Sequence, residues 1–315
     1  MAHETMDIDL VYLWVDGNDP EWLAKHNACV GKMEAKSATD CKGRYADNDE
    51  LKYSLRSIEK YAPWIHRIFI VTDNQTPAWL DTSDPKIRIV DHAEIMPAVS
   101  RPCFNATVIE HFICDIPGLA EHFLFANDDM FINRPVTPET FFAEDGLPII
   151  RFNRRPFRKF TLWYKEKVQG KKLSNYIQII RNAAELVERK YGKYYGGKTH
   201  HNIDAYLKSD CRHVERMFRK EIEPTLTNHV RSANDIQRNL FAYVALAEKR
   251  AHLHYVGQRT SFRLHIQNES HYAKLERYNP MLFCMNDSQY AGDADREREK
   301  AWLERRFPEK SRFEK

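Results

Sequence analysis

HFLFANDDMFIN, His122 to Asn133, is the stretch whose reading decides the fold. It opens as a short apolar strand, Phe123-Leu124-Phe125-Ala126, stops at Asn127-Asp128-Asp129, and turns apolar again. A buried strand that delivers two adjacent carboxylates is an unusual use of charge, because buried carboxylates without partners are expensive. In open α/β sheets the carboxyl edge of the strands is where ligands bind. A carboxylate pair there can hold a divalent cation against phosphates, or one member can act as a general base. The same residues also make ordinary turns, so a polar turn after an edge strand is the competing reading.

Outward from that stretch the pattern repeats. Ile8 to Val15 is a β-branched and aromatic run that ends in Asp16-Gly17-Asn18-Asp19-Pro20, strand then turn. Asp49 to Tyr61 has helical spacing, with Leu51, Leu55 and Ile58 on one face and Pro63 closing it. Strands are expected at Arg67–Thr72 and Ile87–Val90, and a helix from Asn105 to Cys114. Strands alternating with helices predict an α/β, Rossmann-like fold, a mainly parallel sheet flanked by helices. Strand ends at Asp16, Asp73, Asp91 and Asn127 would line one polar cleft.

After Ile150 the character changes. Arg151, Arg154, Arg155, Arg158 and Lys159 interleave with Phe152, Phe157, Phe160, Trp163 and Tyr164, which reads as a solvated helix face or as a groove for a polyanion. Helices are expected at Asn175–Tyr191, Asp204–Lys220 and Asn234–Arg250, a strand at Met281–Met285, and a helix at Asp295–Arg306. The expected organisation is an α/β core over 1–150, a mostly helical inserted lobe over 151–255, and a closing strand and helix over 256–315. Gly192-Lys193-Tyr194-Tyr195-Gly196-Gly197-Lys198-Thr199 fits the phosphate-loop spacing, but a helical pattern precedes it where a true phosphate loop needs a strand. It reads instead as a basic, glycine-rich loop near the site.

The 315 residues are 43% apolar and carry a net charge of +3 from 48 basic and 45 acidic side chains, enough for a sizeable core and too balanced for a nucleic-acid binder. No apolar run approaches the roughly 20 residues of a membrane span. No basic segment precedes the first apolar run, so a signal peptide is not expected. Six scattered cysteines without a CxxC pair predict reduced thiols in a cytoplasmic protein.

Four blocks, in order, resemble the Stealth family. They are Ile8–Trp22, Asp47–Leu80 running on to FLFANDDMFI, His201–Lys208 with Arg231–Asp235, and FCMND with the closing residues to Lys315. The family comprises bacterial capsular and exopolysaccharide phosphotransferases and is similar to the catalytic part of the animal N-acetylglucosamine-1-phosphotransferase. The resemblance implies transfer of a sugar 1-phosphate from a nucleotide sugar to a hydroxyl of a polysaccharide or lipid-linked glycan, with Mg²⁺ or Mn²⁺ as cofactor and release of a nucleoside monophosphate. Carried over, Asp129 is the general base and Asp128 a metal ligand, two roles that could be exchanged. His201, with His200 as its rival, and Arg231 would sit on the phosphoryl oxygens, and Asp287 would complete the metal site. Trp14, Asp16, Gly17, Arg56 and Asn127 would face the donor. A Pro that the family often places soon after its His is replaced here by Asn202-Ile203. The expected location is the cytoplasm, peripheral to the inner membrane. A metal-dependent glycosyltransferase that releases a nucleoside diphosphate is the alternative.

Overall fold

The computed structural model describes residues 6–30 and 45–315. Its centre is a five-stranded sheet ordered β3 (Ile87–Asp91), β2 (Ile68–Thr72), β1 (Ile8–Leu13), β4 (His122–Asn127), β8 (Asp204–Leu207). The first four are mutually parallel, and β8 runs antiparallel along β4. The fold is α/β with a mainly parallel central sheet, as the alternating pattern predicts.

Period-two alternation distributes the side chains of this sheet. Leu10, Tyr12, Ile70, Leu124 and Ala126 point to one face, where Leu51, Leu55 and Ile58 of the helix Glu50–Tyr61 cover them. Val11, Phe69, Val71, Phe123 and Phe125 point to the other, against the helices Ala106–Phe112, Asn175–Tyr191, Lys208–Met217 and Asn239–Ala247. Residues buried on both faces explain why β1 and β4 read as continuous apolar runs. Truncating one of them, Leu124 for example, would cost about 2–5 kcal/mol.

Two smaller sheets flank the centre. One is ordered β10 (Ser261–His265), β11 (Leu282–Asn286), β5 (Met130–Ile132); the other is β7 (Lys198–Thr199), β6 (Ile149–Asn153), β9 (His252–Tyr255). The chain therefore leaves the central sheet at Asn127 and enters the second sheet at Met130, with only Asp128 and Asp129 between.

The helix Asn175–Tyr191 forms at its expected bounds: the Ser174 hydroxyl accepts from the Ile177 amide, and Gly192 takes the left-handed conformation at the other end. The expected helix Asp204–Lys220 is overturned in its first turn. Asp204–Leu207 extends to pair with His122–Phe125, and the helix begins only at Lys208. Edge pairing and burial outweigh local helix preference there. The helix expected from Asn234 starts at Asn239, because Asp235 is held in a turn by the Ser232 amide. The 151–255 segment is mostly helical, and its helices from Asn175 onward share a core with the central sheet. Cys29, Cys103, Cys114, Cys211 and Cys284 are free thiols, and Cys41 lies outside the described residues. No helix is long and apolar enough to cross a membrane among the described residues.

Candidate active site

The Asp128-Asp129 turn is pinned on both sides. The Met285 amide of β11 donates to the Asp129 carbonyl at 2.9 Å, and the Asp129 amide donates to Asp128 Oδ1 at 3.1 Å. Ser54 and Ser57 lie one helical turn apart on the same buried face of the helix Glu50–Tyr61. The Ser54 hydroxyl donates to the Met130 carbonyl, and Ser57 Oγ accepts from the Ile132 amide. That polar stripe begins at Glu50, so the serines that fasten the helix to β5 also fix a carboxylate beside the turn.

Around the turn the carboxylates gather. Burial, then the charges of Glu50, Asp129 and Asp47, holds Asp128 well above the ordinary carboxylate range. Glu50 is pushed up to about 8 by burial and by Asp47. Asp47 reaches about 6 through burial, with Asp49 and Asp16 adding to it. Glu299, fully buried on the helix Asp293–Arg306, is raised by burial and then by Glu50, Asp287, Asp129 and Asp128. Asp129 reaches about 6 by burial, restrained by the Cys284 thiol, which donates to its Oδ2 at 3.1 Å. Like charges packed this way cannot all ionise without a cation among them.

The residues fit a divalent cation. Asp129 Oδ1 and Glu299 Oε1 are buried and have no hydrogen-bond partner. Asp128, Glu50 and Glu299 add carboxylate oxygens near Asp129, the ligand type that hard cations such as Mg²⁺ and Mn²⁺ take, with both Glu50 oxygens accepting from Asn48. Asp129, His201 and Cys284 also place one ligand atom each within 4.8 Å of one another, a mixed set that could hold a metal ion.

Opposite the carboxylates stands a cationic wall. His201 has a left-handed backbone, φ 58°, between β7 and β8. Burial, followed by Arg263, Lys198 and Arg238, pushes its imidazole down to about 3, so it is neutral at physiological pH. His200 faces the other way, with Nε2 3.3 Å from Asp204 Oδ1. Asp204 in turn accepts from Arg238 Nη1 at 2.7 Å, and Arg238 Nε lies 3.3 Å from Glu110. This buried, charge-balanced group anchors the edge strand that carries the histidines.

The residues expected from the sequence fall into three groups. Asp128, Asp129, Asn127 and His201 come together. Asp16, Trp14 and Asp287 lie at the rim: Asp16 and the Trp14 indole beside Asp47, and Asp287 beside Glu299, where Arg296 already pairs with it at 2.8 Å. Gly17 supports the rim through its lack of a side chain. Its amide donates to the Tyr45 carbonyl at 2.7 Å, and a Cβ there would stand 2.3 Å from that oxygen. Arg56 is not brought to the cluster, and Arg231 makes no hydrogen bond or ion pair with it among the described residues. Arg56 binds Glu314 through Nε and Nη2, both at 2.7 Å, and donates through Nη1 to the Phe307 carbonyl. Arg231 stands on a loop held by Asp235 and Asn105; its Nε is buried without a hydrogen-bond partner, and no contact joins it to Asp129 among the described residues.

Glu50, Glu299, Asp47, Arg263 and Cys284 are the site residues that sequence reading did not find. Glu50 left one signal, a helical stripe shared with Ser54 and Ser57 beside the apolar face of its amphipathic helix. Glu299 left none, since it sits among eight consecutive polar or small residues, DADREREK.

Comparison with known proteins follows the same lines. Stealth protein conserved region 1 matches residues 6–34, and conserved region 2 matches residues 44–150. An exopolysaccharide phosphotransferase of Streptomyces coelicolor is 35% identical over 98% of this chain and 52% of its own length. The exopolysaccharide phosphotransferase CpsY of Mycobacterium tuberculosis is 35% identical over 98% of this chain and 58% of its own. A capsular polysaccharide phosphotransferase of Actinobacillus pleuropneumoniae is 38% identical over 73% of this chain and 62% of its own. The chain thus spans about half to three fifths of the length of these relatives. The solved galactosyltransferase LgtC, in complex with donor and acceptor sugar analogs, aligns over 94% of both chains at 12% identity with a TM-score of 0.44, too slight a likeness to say anything of the site. Two Stealth conserved regions are thus matched in order, and the chain is similar along nearly its whole length to exopolysaccharide phosphotransferases.

Proposed function

We propose that this chain moves a hexose or hexosamine 1-phosphate from a nucleotide sugar, of the UDP-N-acetylhexosamine class, to a hydroxyl of a capsular or exopolysaccharide acceptor. The acceptor oxygen attacks the phosphorus that bears the sugar. The bond from that phosphorus to the bridging oxygen breaks, and a nucleoside monophosphate leaves with the glycosidic C–O bond intact. Asp129 takes the hydroxyl proton. At about 6, its carboxyl is more basic than an ordinary aspartate and still ionised at neutral pH. His201, neutral in its buried setting, orients a phosphoryl oxygen without adding charge. Arg263 and Lys198 face the charge that spreads over the equatorial oxygens, and Arg231 is the further guanidinium that the family pattern assigns to it.

A divalent cation, held by Asp128 with Glu50 and Glu299, would supply charge neutralisation at the diphosphate. Asp287 is a weaker candidate ligand than the sequence suggested, because Arg296 already occupies it. The observation that carries the proposal is the meeting of these crowded carboxylates around the Asp128-Asp129 turn with the cations around His201. Such an arrangement suits a phosphate–metal complex better than it suits a neutral sugar.

The test is the by-product. The protein, Mg²⁺, oligosaccharide acceptors and a panel of nucleotide sugars should release a nucleoside monophosphate and form a phosphodiester. Release of a nucleoside diphosphate would replace this reading with glycosyl transfer. Relatives named for exopolysaccharide and capsular synthesis support the acceptor class, and action at the inner membrane face rests on that chemistry alone.

A further inference from the structure

The helix Arg158–Lys167 buries only Leu162. Phe157, Phe160 and Trp163, spaced by three residues, are 82%, 60% and 49% exposed. The Phe160 and Trp163 rings stack at 5.7 Å, and with Arg155, Arg158 and Tyr194 these side chains line a trough of about 600 Å³. A contiguous exposed aromatic patch rimmed by charge marks a binding surface.

The cations of this trough continue toward the candidate active site, Arg155 and Arg158 standing near Lys198 and Lys198 near His201. Gly196 and Gly197 allow the connection. A Cβ on Gly196 would stand 2.5 Å from the Arg158 Cβ, and one on Gly197 2.7 Å from the Phe152 ring. Their bareness lets the helix start close against β7, which brings Arg155 and Arg158 to Lys198. The glycines of the phosphate-loop look-alike thus serve packing. Lys198 is crowded by Arg263, Arg155 and Arg158 as well as by burial, and its ammonium is pushed down to about 8. No ion pair joins a carboxylate to Arg155, Arg158 or Lys198 among the described residues; the neighbour Lys159 does have one, with Glu188 at 2.6 Å. Lys198 and Arg263 in turn flank His201.

On the reading given under Proposed function, we propose that this trough holds a stretch of acceptor glycan that already carries negative charge, a phosphodiester-linked chain whose terminal hydroxyl reaches past Lys198 to Asp129. The stacked rings offer flat faces to sugar rings, and the uncompensated guanidinium groups await anions. A bilayer surface fits less well. The cations run inward along the trough toward the half-buried Lys198, where a planar surface cannot follow them. An enzyme whose product is itself a polyanion needs such a path in order to take that product back as acceptor, and single addition to a neutral glycan does not.

The test measures binding without donor. The whole chain is titrated, by calorimetry and Trp fluorescence, with a short phosphodiester-linked oligosaccharide, with its phosphate-free counterpart, and with mixed phosphatidylcholine–phosphatidylglycerol vesicles. The charged oligosaccharide should bind about tenfold tighter than the neutral one. Arg155→Ala and Trp163→Ala, both at exposed positions, should each weaken it about fivefold with unchanged thermal melting. Equal affinity for the two oligosaccharides, no binding of the charged one, or variants that lose only vesicle binding would each overturn the proposal. A wild-type chain releasing nucleoside diphosphate would defeat sugar-phosphate transfer and leave this binding result standing.

Discussion

The two ends of the central sheet treat buried carboxylates in opposite ways. At the amino end, Asp9 of β1 is fully buried and fully partnered. Its Oδ1 lies 2.9 Å from His66 Nδ1 and accepts from the Arg67 amide, while Oδ2 accepts from the Ala120 amide at 2.7 Å. At the carboxyl end, Asp128, Asp129, Glu50 and Glu299 crowd one another, and two of their buried oxygens have no partner. Asp9 is a fastener that closes the loops entering β2 and β4. The carboxyl-end group resembles half of a structure whose other half is a ligand. Burial alone therefore says little about a carboxylate, and the state of its partners says much.

Substitution should separate the two ends most sharply. Asp129→Asn should lower kcat by about 10³-fold, within the range of a lost general base, and leave resistance to urea in a chelator equal or higher because a like charge is gone. A loss of stability comparable to the loss of activity would make Asp129 a fastener after all. Asp9→Ala should do the reverse, costing about 3 kcal/mol in urea unfolding by stranding two backbone amides, with turnover per folded molecule unchanged.

A pH series sharpens the contrast further. Glu50, at about 8 when folded against an ordinary value near 4.3, binds a proton in the folded protein that the unfolded chain lacks between those values. The Glu50 contribution to stability should therefore fall as pH rises through that window, by about 1–2 kcal/mol between pH 6.5 and 8. Glu110, at about 7, and Glu215, at about 8, titrate in the same direction, whereas His111 and His201, lowered to about 4 and about 3, add a smaller opposite rise that ends about one unit above the unfolded value of about 6.5. Saturating Mg²⁺ should flatten the part of the slope due to Glu50, since a bound cation favours the ionised form. Urea midpoints taken with Mg²⁺ and with chelator read this directly, and identical slopes would remove the cation from the cluster. The smallest effect is expected at Arg88–Glu94, paired at 2.9 Å but exposed on both sides; Glu94→Gln should change stability by under about 1 kcal/mol.

Sequence reading recovered the sheet centre because β1 and β4 are apolar on both faces and each ends in a polar turn. It missed β5 and β7, of three and two residues, because so short a run has no period to detect. Asp204–Leu207 was lost to the helix that follows it for the same reason, and a pairing partner 80 residues away decided its state. In the site, the Asp pair could be read because it interrupts an apolar run, and His201 only through the family resemblance of its block. Glu50 could pass for an ordinary acid in the first turn of a helix. Arg56 was placed near phosphate on its charge, yet its partner, Glu314, lies 258 residues along the chain.

Gly17 extends this lesson to how damage would present itself. It has no functional group, but its amide and empty Cβ position hold the Tyr45 backbone against the turn that follows β1, and Asp47 and Asn48 follow two and three residues later. Any side chain at Gly17 would displace that segment outward. The lesion would then surface in a mutational scan as a raised requirement for divalent cation, in a protein that still folds and still carries every acidic side chain. A residue with no ligand atom on its side chain would be scored as if it belonged to a metal site.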